Sequence, residues 1–271
     1  MPDFLNDDEF KLYSTLIYDE SGIHFSSTNR SILESRLRER LRLTELDNVA
    51  EYYNLIKSDD SELKVLLDSV TTNLTRFFRN TAHFQTLENY VLPEVAGHKK
   101  KTGSGTFRVW CAGCSTGEEP YSIAIVSKEI LPSHIKVEII ASDLSLKSLM
   151  VCKEGFYPDT RISGVPEKYL KRYFEKKGDG YRVVDEIRKI VRFDYHNLKH
   201  ESGQTGLDLV FCRNVIIYFD EAAQKSVVEK FWRAMNDHSY LFIGHSESLF
   251  GMNTNFEFLK TDWSTIYRKF Q

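Results

Sequence analysis

Two adjacent glutamates, Glu118 and Glu119, stand where a nucleotide-binding site would begin. They follow an apolar strand at residues 107–112 and a turn that holds two glycines, and Pro120 suits the first turn of the helix that comes next. A strand, a tight glycine turn and a helix form the ligand-binding corner of an open α/β sheet. A pyrophosphate would need bare helix-terminal N–H groups at this place. The two carboxylates therefore predict a ligand with hydroxyl groups or a positive charge.

Further polar residues follow predicted strands and should share this sheet edge. Asp143 ends an apolar strand, where an acid can accept ribose hydroxyls, although Asp also caps helices. Asn197 follows another strand, and Arg213 with Asn214 follows a third. Residues 71–80 combine two arginines and two aromatics just before the α/β part. We expect that segment to close the crevice, although capping and surface ion pairs would also explain it.

The elements that must position these residues fall into two parts. Apolar residues recur at helical spacing from residue 8 to about residue 90. Strands then alternate with helices, which predicts a parallel, doubly wound sheet that ends in an antiparallel hairpin at 256–260 and 264–270. The predicted strands are 107–112, 136–141, 207–212 and 240–243, and the predicted helices begin at 120, 146 and 221.

The predicted domain organisation has a helical domain at 1–92, a linker at 93–105 and an α/β domain at 106–271. The linker prediction rests on three consecutive lysines followed by a glycine-containing stretch. A small β-subdomain should be inserted at about 156–193, with a helix at 167–174. Its turn at 178–180 would be followed by extended runs at 181–184 and 190–193.

Composition places the chain among ordinary globular proteins. Its 271 residues are 41% hydrophobic and 28% charged, with a net charge of −3. That charge gives no overall attraction to nucleic acid or to an anionic membrane. No apolar run has the length of a membrane span, and the acidic N-terminus is unlike a signal peptide, so we expect a cytoplasmic protein.

Two other chemistries have a formal match. Cys111 and Cys114 form a C-x-x-C pair, but Cys152 and Cys212 stand alone, so buried thiols explain them better than a metal or redox site. Residues 113–117 match the G-x-S-x-G elbow of hydrolases, with an aspartate and a histidine downstream at 220 and 245. A hydrolase would need several strands before its elbow, and here a helical domain precedes it.

Taken together, six segments make the chain resemble the chemotaxis receptor methyltransferase family, CheR. They are residues 73–79, 115–122, 141–143, 197–198, 212–219 and 244–248. The resemblance covers nearly the whole chain. It implies a helical domain joined to a Rossmann-like methyltransferase domain with an inserted β-subdomain, and transfer of a methyl group from S-adenosylmethionine to receptor glutamates, with S-adenosylhomocysteine as product and no metal.

The resemblance also implies a set of cofactor contacts. These are Asn73, Thr75, Arg79, Glu118, Asp143, Asn197, Leu198, Arg213 and Asn214. Arg79 suits the methionine carboxylate, because guanidinium and carboxylate pair bidentately. Glu118 and Asp143 would take the amino group and the ribose hydroxyls, in an assignment that stays open. Asn197 and Leu198 would hold the adenine by amide hydrogen bonds and apolar contact.

The reaction itself needs little acid or base chemistry. A receptor glutamate is already ionised at pH 7, so the site mainly has to align it with the methyl group and exclude water. Arg76, Arg79 and Tyr218 are the candidates for positioning this carboxylate. A catalytically silent cofactor-binding adaptor stays an alternative.

A basic helix at 29–42 is the predicted docking surface. It places Arg36 and Arg40 one turn apart, and Arg38 and Arg42 likewise, with Leu33, Leu37 and Leu41 facing inward. Such a face is usually just solvated, but the implied substrate is an acidic helical bundle, so we expect a docking role.

The implied partner is the cytoplasmic helical domain of transmembrane chemoreceptors, at receptor arrays, and a regulatory adaptor protein is compatible with this. We expect a monomer with no nucleic-acid partner and no membrane insertion. The turn at 177–181 is short, and whether the β-subdomain binds a peptide of the receptor tail stays open.

Overall fold

A computed structural model describes residues 4–71 and 74–270. The helical domain contains α1 (Asp7–Ser21), α2 (Arg30–Thr44), α3 (Val49–Ser58) and α4 (Asp60–Val70). Helix α1 begins at a capping box, in which Asn6 and Glu9 each accept the other's backbone N–H, at 2.9 and 2.8 Å. Leu33, Leu37 and Leu41 are buried, which confirms the predicted inner face of α2. Within the described residues, no helix combines the length and apolar character needed to cross a bilayer.

The predicted linker is largely helical, which corrects that prediction. After α5 (Thr81–Thr86) and a π-helical turn (Leu87–Val91), residues Leu92–Thr102 form α6. One face of this stretch packs on the α/β sheet through residues such as Val91 and Val95. Lys99 is buried and forms an ion pair with Asp208 at 2.9 Å. The boundary between the two packed cores therefore lies between Val70 and Phe77, well before residue 92.

The remaining elements build the α/β part. They are, in chain order, β1 (Thr106–Ala112), α7 (Glu118–Ile130), β2 (Lys136–Asp143), α8 (Leu146–Glu154), β3 (Phe156–Pro158), α9 (Glu167–Tyr173), β4 (Phe174–Lys177), β5 (Gly180–Val183), α10 (Asp185–Arg188), β6 (Val191–Tyr195), β7 (Leu207–Cys212), α11 (Glu221–Ala234), β8 (Met235–Ile243), β9 (Glu257–Lys260) and β10 (Thr265–Phe270), with 3₁₀ turns at Asp159–Arg161 and Ile216–Tyr218.

The main sheet has the order β6-β2-β1-β7-β8-β10-β9. Strands β6, β2, β1, β7 and β8 are parallel, whereas β10 is antiparallel to both β8 and β9. The predicted fold class, a mostly parallel Rossmann-like sheet with an antiparallel C-terminal hairpin, is confirmed. From β1 the chain proceeds outward to β2 and β6, and then returns to β7 on the other side. This change of direction opens a crevice at the carboxyl ends of the strands, where ligands of such sheets bind.

The inserted β-subdomain is a three-stranded antiparallel sheet of order β3-β5-β4. The predicted turn is confirmed, and Gly178 there has a φ of +56°. The run at 190–193 was placed wrongly, because Val191–Tyr195 pairs in parallel with β2 in the main sheet. The first strand of the hairpin is instead Phe174–Lys177, which directly follows α9.

Candidate functional site

A cavity of about 220 Å³ lies at the carboxyl ends of the parallel strands. Gly113 after β1, Asp143 at the end of β2, His196 after β6 and Arg213 after β7 all line it. The structure thus brings together most of the predicted site residues. Those that line the cavity are Thr75, Arg79, Asp143, Asn197, Leu198, Arg213, Asn214 and Tyr218. Asn73 lies outside the described residues.

The glycine turn after β1 forms one wall of the cavity. The backbone N–H groups of Gly113 and Cys114 donate to Ser142 O at 2.8 and 2.9 Å. Gly113 has a φ of +81°, and a Cβ there would lie 2.3 Å from a methyl group of Val215. Only glycine therefore allows this close approach of the β1 and β7 loops.

Asp143 is buried and carries the cavity's acceptor oxygens. Its Oδ2 accepts from Ser115 N at 2.7 Å, and its Oδ1 accepts from Ser145 N at 2.9 Å. Burial is the largest influence on its pKa and raises it, while these backbone N–H groups act in the opposite direction. Ser145, not Asp143, caps helix α8, so the capping explanation of Asp143 does not apply. The Leu144 N–H is a third backbone donor to this carboxylate. A carboxylate has about four acceptor sites, so Asp143 can still accept from a ligand hydroxyl or ammonium group.

The two glutamates of α7 have different surroundings. Glu118 is fully buried away from the cavity, where its carboxylate accepts from Thr116 Oγ1 at 2.7 Å and from Arg161 at 3.2 Å. Burial raises the pKa of Glu118, and its partners only partly offset this. Glu119 lines the cavity instead. Consecutive helix residues point about 100° apart, so only one of the two can face the ligand; the structure does not bring Glu118 to the cavity.

Arg213 joins two walls of the site. Its buried guanidinium donates to Glu119 at 2.7 Å and to the backbone oxygen of Arg79 at 2.9 Å. Its Nε is buried and has no hydrogen-bond partner among the described residues. Glu119 also accepts from Cys111 Sγ at 3.2 Å. Sequence reasoning could not pair Glu119 with Arg213, because the two residues come from different elements.

The loop at residues 74–80 contributes Leu74, Thr75 and Arg79 to the lining of the cavity. Arg79 lines the cavity and donates one N–H to Leu74 O at 2.7 Å. The loop is attached to α7 because Phe78 N donates to Ser122 Oγ at 3.0 Å. Arg76 is exposed and does not line the cavity. Of the two arginines in this loop, Arg79 is therefore the one that can contact a bound ligand.

The end of α1 closes the cavity from the opposite side, which sequence reasoning missed. Asn197 donates to Glu20 O at 2.7 Å and accepts from Lys199 N at 2.9 Å. His24 N donates to Tyr218 O at 2.8 Å. Both contacts join residues far apart in the chain, so periodicity carries no signal for them. These two bonds use one N–H and one lone pair of the Asn197 amide, so its second N–H and second lone pair are left for a ligand.

The cysteines agree with the interpretation as buried thiols. All four are free and buried, and burial raises the pKa of Cys111, Cys114 and Cys212. Across residues 4–71 and 74–270, no three His, Cys, Asp or Glu side chains are grouped so that they could hold a metal ion.

The basic helix α2 is only partly available for docking. Arg40 is bound by Glu62, with N–O distances of 2.8 to 2.9 Å, and so has little freedom to meet a partner. Arg38 lies 3.9 Å from the ring centroid of Phe4, and Arg36 is 3.8 Å from Glu39. Arg38 and Arg42 are exposed and Arg36 is half-buried.

His83 is buried against Phe242 and within reach of the charge of Arg213, and we expect it to make folding sensitive to acid. Burial, and then the charge of Arg213, lower the pKa of His83 to about 3. The unfolded chain therefore binds one more proton between about pH 3 and 6.5, and stability is lost as the pH falls through this window. We expect this residue alone to make the protein about 2 kcal/mol less stable at pH 5 than at pH 8. Urea unfolding measures the difference in free energy of unfolding between pH 8 and pH 5. This difference should be about 2 kcal/mol smaller in His83→Leu than in the wild type, and unchanged in the exposed control His134→Leu. Equal differences in all three proteins would contradict the prediction.

Comparisons with known proteins agree with this geometry. The all-alpha domain of the CheR methyltransferases matches residues 8–71, and their SAM-binding domain matches residues 73–265. A chemotaxis protein methyltransferase of Borreliella burgdorferi is 37% identical, over 93% of this chain and 92% of that protein. Chemotaxis protein methyltransferase 2 of Vibrio cholerae is 33% identical over 98% and 94%, and the Escherichia coli chemotaxis protein methyltransferase is 36% identical over 93% and 88%. The chain belongs to the CheR family of S-adenosylmethionine-dependent chemotaxis protein methyltransferases.

Proposed function

We propose that the cavity above β1, β2 and β7 holds S-adenosylmethionine and that a chemoreceptor glutamate receives its methyl group there. The observation that carries this proposal is that Asp143, at the end of β2, and Arg79, in the loop at residues 74–80, line the same cavity. The cofactor has a ribose, an ammonium and a carboxylate but no phosphate. An acid and an arginine suit those groups, and the residues present therefore fit the cofactor.

Arg79 is the proposed partner of the methionine carboxylate. Among the described residues, Arg79 donates one N–H group, to Leu74 O, and forms no ion pair with an acid. Asp143 is the proposed acceptor for the ribose hydroxyls. Leu198 is buried and, with Ile23 and Leu144, offers an apolar surface for the adenine ring.

The chain needs no general base for the transfer. Bound in the cavity, the cofactor would supply an electrophilic methyl group on a sulfonium. The receptor carboxylate is ionised at pH 7, so the protein's task is to hold it in line and to exclude water. Tyr218 lines the cavity and is the proposed positioning group, since Arg79 is assigned to the methionine carboxylate and Arg76 would act only at the exposed outer surface.

Incubation with methyl-labelled S-adenosylmethionine and a chemoreceptor cytoplasmic fragment tests this function. We expect label on the receptor that is released by mild base, as a glutamate methyl ester would be. The matched control is the same fragment with glutamine at the methylated positions, which should stay unlabelled. Cofactor binding without transfer would instead support the adaptor alternative, and base-stable label would exclude a glutamate ester.

Receptor docking on α2 gives a separate prediction. We expect Arg38→Glu/Arg42→Glu to raise the KM for the receptor by about tenfold at low salt, with kcat unchanged, because each exposed charge contributes little alone. The effect should shrink at high salt. The control Lys147→Glu/Lys153→Glu makes the same change of net charge at exposed residues of α8, outside the helical domain, and should leave the KM unaltered. An equal KM increase in that control would show that net charge, not α2, is responsible.

A further inference from the structure

Glu247 lies outside the cavity, in the loop that follows β8. Its Oε1 accepts from the backbone N–H groups of Val215 and Ile217 at 2.9 and 3.2 Å. Its Oε2 accepts from the backbone N–H groups of Asn214, at 2.9 Å, and of Gly244. One carboxylate thus binds four backbone donors, three of which belong to the loop after β7.

The loop that Glu247 binds is the one that presents site residues. Residues 213–218 follow β7 and carry Arg213, Asn214 and Tyr218, each of which lines the cavity. Asn214 has a φ of +59°, in the left-handed region that asparagine tolerates better than most non-glycine residues. The hydrogen bond from its own N–H to Glu247 helps to hold this conformation.

Gly244 shows how closely the two loops approach. A Cβ at Gly244 would lie 2.6 Å from Glu247 Oε2 and 2.8 Å from Asn214 N. Any larger residue would separate the carboxylate from the loop it binds. The β8 loop therefore provides both the acceptor and the space for this contact.

We propose that Glu247 is a positioning residue for methyl transfer. It holds the 213–218 backbone so that Arg213, Asn214 and Tyr218 keep their places around the cofactor and the receptor carboxylate. The inference rests on the proposed function of the same cavity. Because Glu247 does not line the cavity, its removal changes the alignment of reacting groups while the groups themselves stay present.

Alignment errors of about 1 Å lower turnover on the order of 100-fold. We therefore expect Glu247→Ala to lower kcat by about that factor, with a change in the receptor KM below about threefold. Glu247→Gln keeps the shape but turns an N–H group towards two of the donors, so kcat should fall by about tenfold. Gly244→Ala should also lower kcat, because the added methyl group would separate the Glu247 carboxylate from Asn214 N.

The experiment measures kcat per cofactor-competent site, counted by the stoichiometry of S-adenosylhomocysteine binding. This readout corrects for any fraction of the protein that fails to fold. The control Asp59→Ala removes another carboxylate that accepts two backbone N–H groups, at the start of α4, and should leave kcat per site unchanged. Wild-type kcat per site in Glu247→Ala and Glu247→Gln, with active wild-type enzyme, would overturn the inference. A wild-type protein that methylates no receptor would instead refute the proposed function.

Discussion

Arg213→Met should lower the free energy of unfolding by roughly 3–5 kcal/mol. The guanidinium of Arg213 is the countercharge of Glu119, and both side chains are largely buried. Without it, the Glu119 carboxylate stays in a low-dielectric site, where the Cys111 thiol is its remaining side-chain partner among the residues that the structure describes. The same change removes a hydrogen bond to Arg79 O, so the loop over the cavity loses an attachment and methyl transfer should fall as well.

The double variant Arg213→Met/Glu119→Gln is the matched control. It removes both charges, and a buried pair replaced as a unit often costs little stability. We expect it to recover more than half of the loss in a urea unfolding series, but not the activity, because the bond to Arg79 O is still missing. A double variant as unstable as the single one would show that the loss comes from packing and not from the unpaired carboxylate.

Sequence reasoning located residues whose position follows from local pattern. Asp143 ends an apolar strand, and any parallel sheet brings such a residue to the ligand edge. The inner face of α2 followed from helical spacing of leucines. These features depend on neighbours along the chain, so the sequence contains them directly.

Features that depend on distant partners could not be predicted. Lys99 was assigned to a linker because three lysines look solvated, yet its partner Asp208 lies 109 residues away. The choice between Glu118 and Glu119 depends on Arg161 and Arg213, each in another element. Arg40 looked free on the basic face until Glu62 of a neighbouring helix was seen to bind it. In each case the charge was visible in the sequence and its partner was not.

The β-subdomain contacts the turn between β1 and α7, which gives it a supporting role next to the cavity. Tyr157 donates to Thr116 O at 2.7 Å, and Arg161 donates to Thr116 Oγ1 at 2.9 Å. A Cβ on Gly117 would lie 2.8 Å from the Tyr157 hydroxyl oxygen. The subdomain thus supports the turn between β1 and α7 directly, whether or not it also binds a receptor peptide.

Asp143→Ala should weaken S-adenosylmethionine binding by about 100-fold, since hydrogen bonds to a charged acceptor contribute roughly 1.5–3 kcal/mol each. Asp143→Asn keeps one acceptor oxygen and should weaken it by about tenfold. Titration calorimetry measures both. The control is Asp194→Asn, an exposed acid on β6 whose register partner is Ser142. An affinity within about threefold of wild type for Asp143→Ala would contradict the assignment.

The group that Asp143 binds can be identified with a truncated ligand. 5′-Methylthioadenosine keeps the ribose but lacks the amino-acid portion of the cofactor. Asp143 lies at the end of β2, the position from which an acid reaches ribose hydroxyls, so Asp143→Ala should weaken this ligand by the same factor as the whole cofactor. If Asp143 bound the ammonium group instead, the truncated ligand would bind the variant and the wild type equally. Because Ser115 N also depends on Asp143, thermal unfolding of each variant should accompany the titration, so that a disordered turn is not mistaken for a lost ligand contact.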